Sequence, residues 1–240
     1  MADTKISALT SLAGSGVDTT ADVLPVVDTN VTTTKKILVS NLLGSLFTAA
    51  GDIFQASAAG VGARLGIGTA RQVPMVNAGA TALAYTNPIT LGTEQASTSG
   101  TSIDFTSIPA GVRRITVMFS GVSTNGISPI IIQLGDAGGF ETTGYVSTAS
   151  SNGSGTGSTA GFIIMNVAVA ARTYYGAFTL SLQDASDFTW VGSGNMAADS
   201  TTIEFAAGGK SLSAELTQVR ITMVNGTDAF DAGVINISYE

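Results

Sequence analysis

The chain contains neither cysteine nor histidine in its 240 residues. Without cysteine, disulfide bonds and thiolate metal sites cannot form. Without histidine, the usual general base and the commonest metal ligand are also missing, which removes most hydrolase mechanisms. We therefore expect a protein that is not an enzyme, with no catalytic site, no metal site and no cofactor.

Charged side chains are scarce as well. They make up 11% of the chain, against about 25% in typical soluble domains. The formal net charge is −7 and the ten basic residues are scattered, whereas nucleic-acid binding needs clustered lysine and arginine. Nucleic acid is thus not an expected partner. The hydrophobic content of 44% argues against disorder and favours a β-rich, multimeric protein.

Long apolar runs are missing too. The first residues, MADTKISALTSLAG, lack the basic region and apolar core of a signal peptide. No apolar run elsewhere approaches the roughly 18 residues that a membrane span requires. We expect neither secretion by a signal peptide nor membrane insertion.

What the chain does have is a stretch rich in glycine and alanine from Gly51 to Tyr85, reading GDIFQASAAGVGARLGIGTARQVPMVNAGATALAY. Its apolar residues follow neither the period of a helix nor that of a strand. A single copy would leave most of them in water, whereas several copies about one axis would bury them, with small residues permitting close approach. Residues 51–90 are therefore predicted to form a shaft.

Residues 1–50 read as an attachment segment without chemistry of its own. Val23–Val27 is predicted to be extended because Pro25 disfavours a helix. Ile37–Phe47 is predicted to be a strand followed by a short helix, capped by Ser40. One apolar face of that helix would carry Leu42, Leu43 and Leu46.

From Leu91 onward, short β-branched and aromatic runs alternate with turn residues every 8–12 positions or so, which is typical of an antiparallel sandwich. The domain boundary is predicted near Thr86–Gly92, and ten short strands in residues 91–240 indicate a jelly-roll-like double sheet. The last strand should be buried on one side. The predicted strands are Ser102–Ser107, Arg113–Ser120, Pro129–Leu134, Thr142–Ser147, Gly161–Val169, Thr173–Gln183, Phe188–Gly192, Thr201–Ala206, Ser213–Val224 and Val234–Tyr239.

Four motifs follow one another in residues 1–90: KISALTSL, DVLPVVDTN, TTTKKILVSNLL and GARLGIGTARQVPMVNAGATALAY. As an ordered set they resemble the N-terminal half of bacteriophage virion fibre proteins, notably tail fibres. Pro74 and Arg71 depart from the small-residue pattern of the shaft.

That resemblance implies a homotrimer on the virion exterior, made in the host cytoplasm. Its N-terminal segment would attach to other virion proteins of the tail, baseplate or capsid, and its distal domain would contact a host surface glycan or protein. Two alternatives stay open. One is a capsid decoration or head fibre protein, and the other is a short glycan depolymerase.

Aromatic residues are the candidate receptor contacts, because sugar C–H faces stack on rings. Tyr174, Tyr175 and Trp190 are proposed for this role. The competing interpretation places Trp190, with Phe188, in the core. The segment Ser150–Thr159 is predicted to be a flexible loop, either a passive connection or a recognition loop.

The remaining polar motifs have simpler interpretations. A Ser–Lys dyad would use Lys210 with Ser211 or Ser213, but GGK is typical of a turn with a solvated lysine. A glycosidase, or a calcium site, would need paired carboxylates. The available pairs are Asp184 with Asp187, Glu204 with Glu215, and Asp228 with Asp231, of which the two aspartate pairs are typical of turns.

Overall fold

The computed structural model describes residues 46–59, 61–77, 79–198, 200 and 202–240, together with the backbone of two strands nearer the N-terminus. The chain divides into two units, Met1–Pro88 and Ile89–Glu240. All regular structure in the described residues is antiparallel β-sheet. None of these residues belongs to a helix long and apolar enough to cross a bilayer. The fold is thus mainly β, as the sequence predicts.

The part of the first unit that the structure describes contains three hairpins, each a separate two-stranded sheet. In the first, Val23 lies opposite Leu38 and Val27 opposite Thr34, so the extended Val23–Val27 segment is confirmed. The predicted helix after Ser40, including Leu42 and Leu43, falls outside the described residues. The strands are β1 (Val23–Val27), β2 (Thr34–Leu38), β3 (Ile53–Ala58), β4 (Val61–Leu65), β5 (Val73–Val76) and β6 (Leu83–Thr86).

Two side chains organise the second and third hairpins. The Gln55 amide links them, since its Oε1 accepts the Leu83 N–H at 2.9 Å and its Nε2 donates to the Leu83 carbonyl at 3.4 Å. The Asp52 carboxylate accepts the N–H groups of Thr48 at 2.8 Å and of Ile67 at 2.9 Å. These bonds, led by that of Thr48, hold the pKa of Asp52 well below its usual range.

The second unit is built from two antiparallel sheets. The nine-stranded sheet has the order β14-β13-β18-β17-β16-β10-β20-β7, with β8 also paired to β20. Its strands are β7 (Thr90–Leu91), β8 (Gln95–Ala96), β10 (Arg114–Thr124), β13 (Val146–Ser151), β14 (Ser154–Ser158), β16 (Tyr174–Asp184), β17 (Thr189–Ala198), β18 (Thr202–Ser211) and β20 (Phe230–Tyr239).

The smaller sheet has the order β12-β11-β19-β9, with β15 also paired to β11. Its strands are β9 (Ser102–Phe105), β11 (Ile130–Asp136), β12 (Gly139–Phe140), β15 (Phe162–Ile163) and β19 (Gln218–Met223). Its strands and those of the nine-stranded sheet contribute to one hydrophobic core, in which Ile132 and Ile221 of the small sheet lie with Ile115 and Leu180 of the large one.

The two sheets of this domain have nine and five strands, more than the ten strands that the sequence predicts for residues 91–240. The flexible loop predicted at Ser150–Thr159 is also wrong: Ser150 pairs with Gly155 in the β13–β14 hairpin. Its tight turn uses Asn152 and Gly153, both with positive φ, which these residue types tolerate. The long strand expected at Gly161–Val169 is reduced to Phe162–Ile163.

Strand β20 lies inside the large sheet, paired with β10 on one side and with β7 and β8 on the other. Its Ile235 and Ile237 side chains are buried in the core, as the alternation in the sequence predicts. Ser238 faces away from the core.

Ile235→Ala is expected to lower the free energy of unfolding by about 2–5 kcal/mol, because it leaves a cavity at a fully buried site. Ser238→Ala, three residues later, is the matched control and should change it by less than about 0.5 kcal/mol. Urea denaturation followed by circular dichroism measures both values. Equal effects would contradict the assigned register of β20.

Candidate functional site

One end of the second unit gathers three connecting segments. Thr124 at the end of β10 lies opposite Phe230 at the start of β20, and Ile130 at the start of β11 lies opposite Met223 at the end of β19. The β10–β11 and β19–β20 connections therefore emerge together. The connection from β15 to β16 joins them through the Ala171 N–H, which donates to the Thr124 carbonyl at 3.0 Å. We refer to residues 125–129, 164–173 and 224–229 as the loop end.

The chain enters this unit at the opposite end. Thr90 of β7 pairs with Tyr239 near the end of β20, while β20 begins, with Phe230, at the loop end. The loop end is thus the part of the domain that lies furthest along the strands from the point of entry.

Hydrogen bonds hold the two shorter connections in a fixed shape. Asp228 accepts the Ser128 N–H at 2.9 Å and an Nδ2–H of Asn225 at 2.7 Å. The Oδ1 atom of Asn125 accepts the Ala229 N–H at 2.9 Å. The bond from Asn225, followed by that from Ser128, lowers the pKa of Asp228 below its usual value. These bonds satisfy backbone groups that a loop would otherwise leave to water.

Apolar side chains project from this frame. Ile127 is 76% exposed, and Val167, Val169 and Val224 are exposed as well. Isolated exposed apolar residues are ordinary, but several on rigid connecting segments at one end of a scaffold are typical of a contact surface. These four exposed residues were not predicted from the sequence. The one feature that could have indicated them is Ile127, a β-branched residue within the turn sequence NGISP.

The three aromatic candidates occupy different environments. Trp190 lies in the core, and its Nε1–H has no hydrogen-bond partner among the described residues. Tyr174 is buried too, and burial raises its pKa. Its hydroxyl accepts the Val169 N–H at 3.2 Å and donates to the Val167 carbonyl at 3.3 Å. Tyr174 therefore positions the loop end, and Tyr175, 52% exposed, is the accessible member of the three.

The environment of Lys210 differs from the predicted solvated turn. Gly208 and Gly209 continue strand β18, so that Lys210 faces the core, with its side chain 7% exposed. Its ammonium group forms an ion pair with Glu141 and lies 5.4 Å from the centre of the Tyr145 ring. The turn prediction was wrong because glycine usually marks turns, whereas here it lies within a strand. Gly208 allows β13 to approach closely, since a Cβ at this position would lie 2.6 Å from the Val146 carbonyl oxygen.

The polar groups around this ion pair already have partners. Ser213 donates its N–H to Glu141 at 2.7 Å and its hydroxyl to Asp136 at 2.5 Å. Burial works to raise the pKa of Glu141, but the hydrogen bonds from Lys210 and Ser213 outweigh it and the pKa is lowered. Lys210 and Ser213, two members of the considered dyad, are thus engaged in structural contacts with carboxylates.

The carboxylate pairs also have structural partners. Asp184 accepts the Ser186 N–H at 2.8 Å, which confirms the predicted turn role. Glu204 is buried and accepts the Asn166 N–H at 2.8 Å, whereas Glu215 follows the far end of β18 and accepts the Gly111 N–H at 2.7 Å. Asp231 binds the Ser123 hydroxyl. Within the described part of the chain, no three acidic side chains are grouped so that they could hold a metal ion.

No protein-family model matches the chain, and no match is found among curated proteins or solved structures. The functional inference therefore rests on the chain's own residues and their geometry.

Asp228→Ala is expected to speed hydrogen exchange at the Ser128 amide, because it removes the acceptor of that N–H. Since the folded pKa of Asp228 is lowered, its contribution is complete above the unfolded pKa of about 3.9 and disappears as the pH falls through the folded value. Amide exchange measured by NMR tests both statements. Asp184→Ala, which removes a similar turn carboxylate at the end of β16, should leave exchange at the Ser128 amide unchanged. Unaltered exchange in Asp228→Ala would contradict this account of the loop end.

Proposed function

We propose that this chain is a structural, non-enzymatic subunit of a phage particle, namely a homotrimeric fibre, notably a tail fibre. Residues 1–50 attach it to other virion proteins, residues 51–90 form the shaft and residues 91–240 form the tip. The observation that carries the proposal is the exposure of apolar side chains on the short hairpins of residues 53–86. The motifs that resemble phage fibre proteins support it.

The hairpins need further copies to become stable. Phe54, Val61, Ile67, Met75 and Val76 are all exposed, and burying a side chain of this size contributes about 1.5–3 kcal/mol. An isolated two-stranded hairpin is at best marginally stable in water. Three copies around one axis supply the missing neighbours.

The loop end is the part of the tip that we assign to the host surface. It lies opposite the point where the chain enters the domain, and it presents Ile127 and Val224 on a hydrogen-bonded frame. Tyr175, at the start of β16, adds an exposed ring that can stack on a sugar. The partner is accordingly a surface glycan or protein of the host cell.

This architecture is compatible with a fibre on the tail and with a fibre on the capsid. Labelling the C-terminus on intact virions distinguishes them, because the label marks the tail in one case and the head in the other. Absence of the protein from purified virions would overturn the proposal.

The shaft is tested by the mass of the purified full chain in solution. We expect a trimer of 24.1 kDa chains by light scattering, and Val76→Asp should reduce that mass because it introduces three like charges beside the axis. Thr81→Asp, in the β5–β6 turn, is the matched control and should remain trimeric. A monomeric wild-type chain would overturn the assignment of residues 51–90 as a trimeric shaft.

A further inference from the structure

The small sheet carries a row of polar side chains on one of its two sides. The register places Gln133 opposite Arg220, and Arg220 opposite Asp104. Thr222 and Ser102 lie opposite each other in the next row. They point to the same side as the first row, because they are two residues further along their strands. The residues between these two rows belong to the hydrophobic core, so the sheet presents its polar groups on the side opposite the core.

Connecting segments turn this polar side into a cleft of about 360 Å³. Ala160 and residues 224–226 of the loop end line it, and the Ala160 carbonyl accepts the Gln133 Nε2–H at 2.9 Å. The volume is within the roughly 300–1,000 Å³ of small-molecule sites. We name this feature the polar cleft. Its polar side chains are Ser102, Gln133, Thr142, Arg220, Thr222 and Asn225.

The polar cleft holds hydrogen-bonding groups that the fold does not use. Gln133 is only 7% exposed, yet its Oε1 accepts no hydrogen bond from the residues that the structure describes. Among those residues, Trp190 has the only fully buried polar side-chain atom without a partner, so the Gln133 Oε1 is open to the cleft. The hydroxyls of Ser102 and Thr142 have no partner in the described part of the chain either. A ligand here therefore meets both donors and acceptors.

Arg220 brings a charge to the polar cleft, but that charge is compensated. Its Nε and Nη2 donate to the two carboxylate oxygens of Asp104 at 2.8 and 2.7 Å, and its guanidinium lies 4.1 Å from the centre of the Phe140 ring. These contacts fix its orientation and leave Nη1 outside the ion pair. An anionic ligand would need a cation without a partner, and the net charge of −7 would repel it. The cleft therefore suits an uncharged ligand.

We propose that the polar cleft binds an uncharged sugar residue of the host surface. A sugar ring presents hydroxyls that both donate and accept around its edge, and C–H groups on its faces. The buried side chains of Ile131 and Met223, which also line the cleft, provide apolar contact for the C–H groups. A purely apolar ligand would leave Gln133 without a partner, which is costly at a buried position.

The inference rests on the proposed function, because residues 224–226 belong to the loop end that we assign to the host surface. It adds the chemical class of the partner and the place where that partner binds.

Removal of two hydroxyls from the full chain tests the site. Ser102→Ala combined with Thr142→Val deletes two hydroxyls of the polar cleft that bond to no described residue. Ser193→Ala combined with Thr148→Val makes the same exchanges at accessible positions of the nine-stranded sheet and is the matched control. Both double variants should keep the circular dichroism spectrum of the wild type.

Binding is measured on an array of neutral and acidic bacterial surface glycans. Titration calorimetry then gives the dissociation constant for the neutral glycan that binds most strongly. We expect the wild type and the control to bind neutral glycans equally. The cleft variant should bind at least about tenfold more weakly, because two neutral hydrogen bonds are lost.

Three results would overturn the inference: binding of acidic glycans alone, equal affinity of the two double variants, and no binding to any glycan. The mass of the chain and its presence in virions judge the proposed function separately. A trimer that is present in virions and binds no glycan keeps the fibre and loses the sugar site. A monomer that is absent from virions but binds neutral glycans through the cleft keeps the sugar site and loses the fibre.

Discussion

Strand β20 holds the C-terminal domain together, because it joins β10 on one side to β7 and β8 on the other and covers the core with Ile235 and Ile237. The small sheet meets the large one across that same core. Strand β10 is the neighbour of β20 in the large sheet, and β11 is the neighbour of β19 in the small one. The β10–β11 and β19–β20 connections therefore emerge at the same end, where they form part of the loop end.

Few residues of this chain carry a charge. Some of the charged groups are paired, as with Lys210 and Glu141 beside Tyr145 or Arg220 and Asp104 on the small sheet. Pairing offsets the cost of removing a charge from water. The accessible face of β13, β16, β17 and β18 is then left to hydroxyl, small and apolar side chains, such as Thr148, Ser193 and Phe205.

Prediction from sequence succeeded where alternation was strong. Ile115, Val117 and Phe119 alternate with Thr116 and Met118, and this stretch is the centre of β10. It failed where glycine and serine dominate, since Ser154–Ser158 has no apolar residue to indicate a strand and is held by pairing with β13. Lys210 was assigned to a turn for the same reason. Among the aromatic candidates, Tyr174 and Tyr175 are adjacent in sequence, yet strand alternation buries one and exposes the other.

Composition and short-range periodicity are enough to predict the β class of the fold, the lack of thiol and imidazole chemistry and the surplus of apolar residues in the glycine-rich segment. Which side chains share a surface depends instead on how the strands pair. Strand pairing brings Ser128 to Asp228 and Phe205 beside Asn195, and these separations along the chain leave no local pattern. The physical reason is that a sheet is stabilised by long-range hydrogen bonds and by a common core, whose partners are chosen only when the whole domain folds.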